Sequence, residues 1–252
     1  DSGCGPTPAS RVRGDACRRR TLRVSHRAPI RASADRPPDT TRKHAGVGRM
    51  RYVRSMSATT ADLATRLASI VAGFGATADT DDLRRRLETL AGESTPDALV
   101  AAAEPYRGEP DVVAPLYERI VAEQPDNARA LVVLANAWWL QGRGPEPVGD
   151  LANRAIAADP ANRGAWHLWA LSESDPRSRV SRWQQVSERF PEDHLALAAV
   201  ADNAAAVAGA EHDYGMLDVS IETYERLLER STESAQREAV SAALHALRGW
   251  RL

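Results

Sequence analysis

From residue 58 onward, apolar residues recur at helical spacing, and alternation of the β type is almost absent between turn signals. Leu63, Leu67, Ile70, Val71 and Phe74 form one stripe, and Leu83, Leu87 and Leu90 a second. Two amphipathic helices are therefore expected over residues 58–94. At the other end, Val240, Leu244 and Leu247, with Ala243 and Trp250, predict a closing helix over residues 234–252.

Between these ends, over residues 95–233, the pattern repeats. An apolar or aromatic residue stands eight positions ahead of a turn signal: Tyr117 before Pro125, Ala152 before Pro160, Trp183 before Pro191, and Tyr224 before Thr232, where the proline is lost. Each is preceded by a second pattern in which a small residue adjoins large ones. Its members are Leu99, Ala102, Ala103 and Tyr106; Leu131, Leu134, Ala135 and Trp138; Trp166, Trp169 and Ala170; and Leu197, Val200, Ala201 and Ala204. The separations Leu99 to Tyr117, Leu131 to Ala152, Trp166 to Trp183 and Leu197 to Tyr224 are 18, 21, 17 and 27 residues. The slack falls at "RGEP", "GRGPEP", "SDPRS" and "AGAEHDYG", Gly- and Pro-rich turns where a change of length costs little.

The arrangement resembles the tetratricopeptide repeat, whose W-x2-L-G-x2-Y, A-x3-F and P pattern describes two antiparallel helices. The resemblance covers about residues 96–252. It implies an all-α fold, a right-handed α-α superhelix of about four helical hairpins closed by a capping helix, since a terminal repeat would otherwise leave an apolar face in water. The variable spacings, the degenerate glycines of the pattern and the short third repeat mark divergent repeats.

Four of the six tryptophans crowd into residues 138–169. In the repeat register Trp166 and Trp169 lie three apart on one helix face, Trp183 takes the phenylalanine position and Trp138 the tyrosine position. Burying a Trp removes about 150–250 Å² from water, worth roughly 4–6 kcal/mol at about 25 cal/mol per Å². These four, with Tyr106, Tyr117, Leu134 and Tyr224, are expected to form the structural core. Trp139 cannot share the inner face of Trp138, because adjacent helical residues point about 100° apart.

The family resemblance implies a concave groove lined by the first helix of each repeat and able to hold a peptide. Transferred position by position, the lining is Arg129, Val132, Asn136, Trp139 and Leu140, then His167 and Leu171, then Leu195, Ala198, Asp202 and Ala205. Trp139 would be its aromatic anchor, and Asn136 could bond a peptide backbone; the other placement for Trp139 is against the N-terminal helices. A carboxylate clamp of the kind some family members use is not expected, since Val132 and His167 stand where Lys or Arg is required. The expectation is a non-catalytic scaffold for a protein or peptide partner.

Charge divides the chain. Residues 1–57 hold 14 Lys and Arg against four Asp, a net of +10, which leaves 19 bases and 30 acids, a net of −11, for the rest. The first segment, rich in Arg, Pro, Ser and Thr, cannot bury enough apolar surface to offset its ordering entropy and is expected to be a disordered tail. With Lys43 as the only lysine, the composition suits a GC-rich bacterial genome, and Met56 is the expected natural start, with Met50 the other candidate and the residues ahead of the start read as upstream translation. No nucleic-acid partner is expected for the acidic body. Both cysteines, Cys4 and Cys17, lie in the tail, and neither a secretory core nor an apolar run of membrane length stands out, so a cytoplasmic, membrane-free protein is expected.

Candidate chemistry is sparse. Glu211, His212 and Asp213 in a Gly-flanked turn offer an alternative, a divergent helical enzyme or ligand-binding site. Asp79-Thr80-Asp81-Asp82 lacks the Gly and the final acid of a calcium loop and reads as a cap for the helix that follows. "QGRGPEP" follows no strand and precedes no Lys-Ser/Thr, so a phosphate cradle is not indicated. His194 and His245 have no partner at metal-ligand spacing. No cofactor and no metal are expected.

Overall fold

The computed structural model describes residues 48–250; the expectations placed on the tail ahead of residue 48, Cys4 and Cys17 included, lie outside them. Among the described residues there are eleven α-helices and no strand. α1 (Gly48–Thr77) and α2 (Thr80–Gly92) form an N-terminal hairpin. α1 begins ahead of residue 58, where its apolar stripe starts. No proline stands between Pro38 and Pro96, so nothing in the backbone stops the helix from extending upstream.

Four hairpins follow: α3 (Pro96–Ala103) with α4 (Pro110–Glu123), α5 (Ala128–Leu140) with α6 (Pro145–Ala158), α7 (Arg163–Leu171) with α8 (Pro176–Arg189), and α9 (His194–Glu211) with α10 (Tyr214–Arg230). α11 (Ser234–Gly249) closes the array against α10. α1 packs on α3 and α2 on α4, so the N-terminal hairpin stacks like a further repeat. Most helices start where local chemistry favours it. Asp79 caps α2 by accepting from the Asp82 amide at 2.9 Å. Pro110, Pro145 and Pro176 open α4, α6 and α8, where a missing N–H costs nothing. In the α5–α6 turn Gly142 and Gly144 adopt φ of +70° and +96°, conformations that L side chains resist.

The turns between repeats share one construction. After Pro125, Pro160 and Pro191, a short polar side chain caps the next helix. Asn127 accepts from the Ala130 amide at 3.0 Å, Asn162 from Ala165 at 3.2 Å, and Asp193 from Leu195 and Ala196 at 3.1 and 3.3 Å. An arginine from the second helix of that same next repeat then donates to the proline carbonyl: Arg154 to Pro125 at 3.1 Å, Arg189 to Pro160 at 2.9 Å, and Arg230 to Pro191 at 2.6 Å. Both helices of a hairpin are thus tied to the turn that precedes them, which fixes the register of each repeat on its neighbour.

Leucine, valine and alanine form the core, continuous from α1 to α7 and extended by further buried clusters between α7 and α11. Tyr117, Leu134, Trp183 and Tyr224 are buried within it. Trp138, Trp166, Trp169 and Tyr106 are only half-buried, at its margin. For Tyr106 the cause is Pro105: α3 stops at Ala103 and tightens into a 3-10 turn over Glu104–Tyr106, so the tyrosine leaves the helical stripe.

Candidate partner-binding face

The first helices α5, α7 and α9 present the residues expected to line a groove. On α5, Arg129 is exposed, Val132, Asn136 and Trp139 are half-buried, and Leu140 is 56% exposed. Trp139 belongs to the margin of the main core while part of its surface stays in solvent. On α9, Leu195 is 50% exposed, Ala198 and Ala205 are half-buried, and Asp202 is exposed while accepting a bond from the Tyr224 hydroxyl. Burial, and then the Asp202 carboxylate, push the Tyr224 phenol far above its ordinary range. α7 comes close to α5 because Gly164 has no side chain: a Cβ there would lie 3.2 Å from Val132 Cγ1. Leu171, half-buried at the end of α7, continues the apolar surface.

His167 corrects the expected lining. It is 6% exposed, its Nε2 lies 2.5 Å from Asp193 Oδ2, and its ring centroid is 5.4 Å from that of Trp183. A carboxylate only accepts, so the imidazole donates from Nε2; among the described residues Nδ1 has no partner. Arg163 adds a cation 3.8 Å from the same oxygen. Burial pushes the Asp193 carboxyl up, but the bond and charge of His167, the Ala196 amide and Arg163 outweigh it and hold the carboxyl below its usual range. His167 is therefore a junction between repeats, not a groove contact.

Trp166, Trp169 and Trp138 are covered too. Trp166 and Trp169 meet edge to face, centroids 5.4 Å apart at 82°. The Arg189 guanidinium lies 4.9 Å from the Trp166 ring centre, and both Arg189 and the Trp166 indole N–H donate to the Pro160 carbonyl. Arg182 lies 4.6 Å from the Trp169 ring centre, donates to the Trp169 carbonyl at 2.8 Å and pairs with Glu173 at 2.7 Å. One repeat earlier, the Trp138 indole donates to Glu118 of α4 at 3.0 Å, and Arg143, 4.8 Å from that ring centre, pairs with the same carboxylate at 2.9 Å. Trp138, Trp166 and Trp169 thus each have a guanidinium over the ring.

The Glu211–Asp213 turn is likewise occupied by structural contacts. Arg177 donates to Glu211 at 2.5 Å and to Asp213 Oδ2 at 2.6 Å, while Asp213 Oδ1 caps α10 through the Gly215 and Met216 amides at 2.8 and 3.1 Å. The Arg177 bond, then the Met216 amide, hold the Asp213 carboxyl below its usual range. His212, at φ +55°, turns the chain between the two helices. Among the described residues no group of three His, Cys, Asp or Glu is placed to hold a metal ion, and no helix is long and apolar enough to cross a membrane.

No protein-family model and no curated protein sequence matches the chain. Solved structures do. That of pilF from Pseudomonas aeruginosa aligns over 77% of this chain and 87% of that one, at 14% identity and a TM-score of 0.50. The chain has the tetratricopeptide-repeat fold. Two further tetratricopeptide-like matches are MamA, at 17% identity over 71% of this chain and 97% of that one with a TM-score of 0.48, and a thermophilic TPR protein of Thermus thermophilus, at 18% identity over 71% and 97% with a TM-score of 0.46. In the tetratricopeptide register, α5, α7 and α9 are the first helices of successive repeats and α6, α8 and α10 the second. The Pro125, Pro160 and Pro191 turns are the joints between them.

Proposed function

We propose that the chain is a non-catalytic scaffold that holds a peptide or helix of a protein partner along the first-helix face of α5, α7 and α9. The observation that carries this reading is the pairing of Leu140, more than half exposed at the end of α5, with the adjacent half-buried Trp139. An indole anchored at the core margin beside a solvent-facing leucine offers apolar contact at little further entropic cost. Asn136, one turn back, supplies a donor and an acceptor for a peptide backbone, and Arg129 and Asp202 provide polar contacts toward the edges. The occupied carboxylates of Glu211 and Asp213 favour this reading over a helical enzyme at that turn. A cytoplasmic protein of a GC-rich bacterium, with no nucleic-acid partner for the acidic repeats, belongs to the same proposal.

The test is selection of peptides from a random library on the full chain, followed by affinity measurement on Trp139→Ala and Leu140→Ser. Loss of an anchor costs about 2 kcal/mol or more, roughly a thirtyfold weaker Kd. Selected peptides that bind both variants as tightly as the parent would place the interaction elsewhere.

A further inference from the structure

The α1–α2 hairpin carries a depression of about 290 Å³ that plays no part in the face described above. Arg66 and Ile70 line it from α1, and Arg85, Arg86, Thr89 and Leu90 from α2. Three arginines line it on a body whose net charge is otherwise strongly negative, and Asp82 is the one carboxylate among the lining residues. Asp82 takes Arg86 through Nε at 2.6 Å and Arg85 through one terminal nitrogen at 3.1 Å, while Arg66 pairs with Glu93 at 2.6 Å. A guanidinium has five N–H donors, so these contacts use a minority of what the three arginines offer. Thr89 gives its hydroxyl proton to the Arg85 carbonyl at 2.8 Å. Leu90, buried, and Ile70, half-buried, make the floor apolar.

Arginine forks match the paired oxygens of phosphate and carboxylate, and the floor beneath them suits hydrocarbon. The existing ion pairs are solvent-exposed and worth little individually, so an incoming anion can replace or bridge them at small cost. The volume is near the lower end for ligand pockets, which fits a single side-chain-sized group rather than a nucleotide. We propose that this depression binds an oxyanion, phosphate or carboxylate, carried on a short apolar stem.

The test uses the full chain at low ionic strength, titrated separately with butyl phosphate, hexanoate, inorganic phosphate and sodium chloride, while NMR follows the Nε–H signals of Arg66, Arg85 and Arg86. Saturable shifts with a roughly millimolar Kd are expected for butyl phosphate or hexanoate, and whichever binds more tightly names the head group. Inorganic phosphate binds more weakly if the apolar floor contributes. Arg66→Gln with Arg86→Gln weakens binding about tenfold or more, and Arg85→Gln alone weakens it less, each with unchanged helicity. Arg84→Gln leaves it intact, because Arg84, paired with Glu88 at 2.8 Å, does not line the depression. A linear response shared by all four salts, or an equal loss in Arg84→Gln, overturns the proposal.

Discussion

The two oxygens of Asp193 serve different repeats: Oδ1 caps α9, and Oδ2 holds the buried His167 of α7 at 2.5 Å. One carboxylate thus joins the third hairpin to the fourth. Asp193→Ala removes a cap worth about 1 kcal/mol and strands a buried imidazole at about 1–3 kcal/mol. Thermal unfolding monitored by circular dichroism should show a midpoint lowered by roughly 5–10 °C. Asp193→Asn keeps a capping oxygen and should lose less.

The same pair sets a pH dependence. The Asp193 carboxyl is held below its usual range in the folded protein. Its contribution is therefore fully present above the unfolded carboxyl pKa of about 3.9 and is lost as pH falls through the lower folded value. Urea midpoints measured across the acid range should drop below about pH 4, with a shallower drop in Asp193→Asn. An identical acid dependence in that variant would assign the effect to other carboxylates.

Arg189 holds the Pro160 carbonyl and covers Trp166. Arg189→Ala should cost about 1–2 kcal/mol and shift tryptophan emission to the red as water reaches the ring. Lysine cannot reproduce the planar fork, so Arg189→Lys should restore only part of the loss.

Gly164→Ala sets helix propensity against space. Alanine gains about 0.5–1 kcal/mol in a helix, yet its Cβ would sit 3.2 Å from Val132 Cγ1. The single variant should be near neutral, whereas in a Val132→Ala background the same change should stabilise by about 0.5–1 kcal/mol. Equal effects in both backgrounds would remove Val132 as the neighbour that matters.

The hairpins are legible in the sequence because their signals are local: apolar stripes, opening prolines, and Asn or Asp two residues after a turn proline. The environment of the tryptophans is not. Trp166 and Trp169 hold the positions the register assigns, but their outer faces depend on Arg189 and Arg182, which arrive from the next helix and carry no periodic apolar signal. His167 departs from its expected place for a related reason. Its position gives the direction in which the side chain leaves α7, while its burial depends on Asp193, 26 residues on. A cap residue with a second oxygen to offer is a sequence cue, but its other partner becomes visible only once the repeats are stacked.

The first-helix face is tested most directly by amide hydrogen exchange and indole NMR on the full chain with a library-selected peptide bound. A peptide lying along this face should protect α5, α7 and α9 and shift the indole signal of Trp139, leaving α6, α8 and α10 unchanged. Protection confined to the second helices, with the Trp139 signal unmoved, would contradict it.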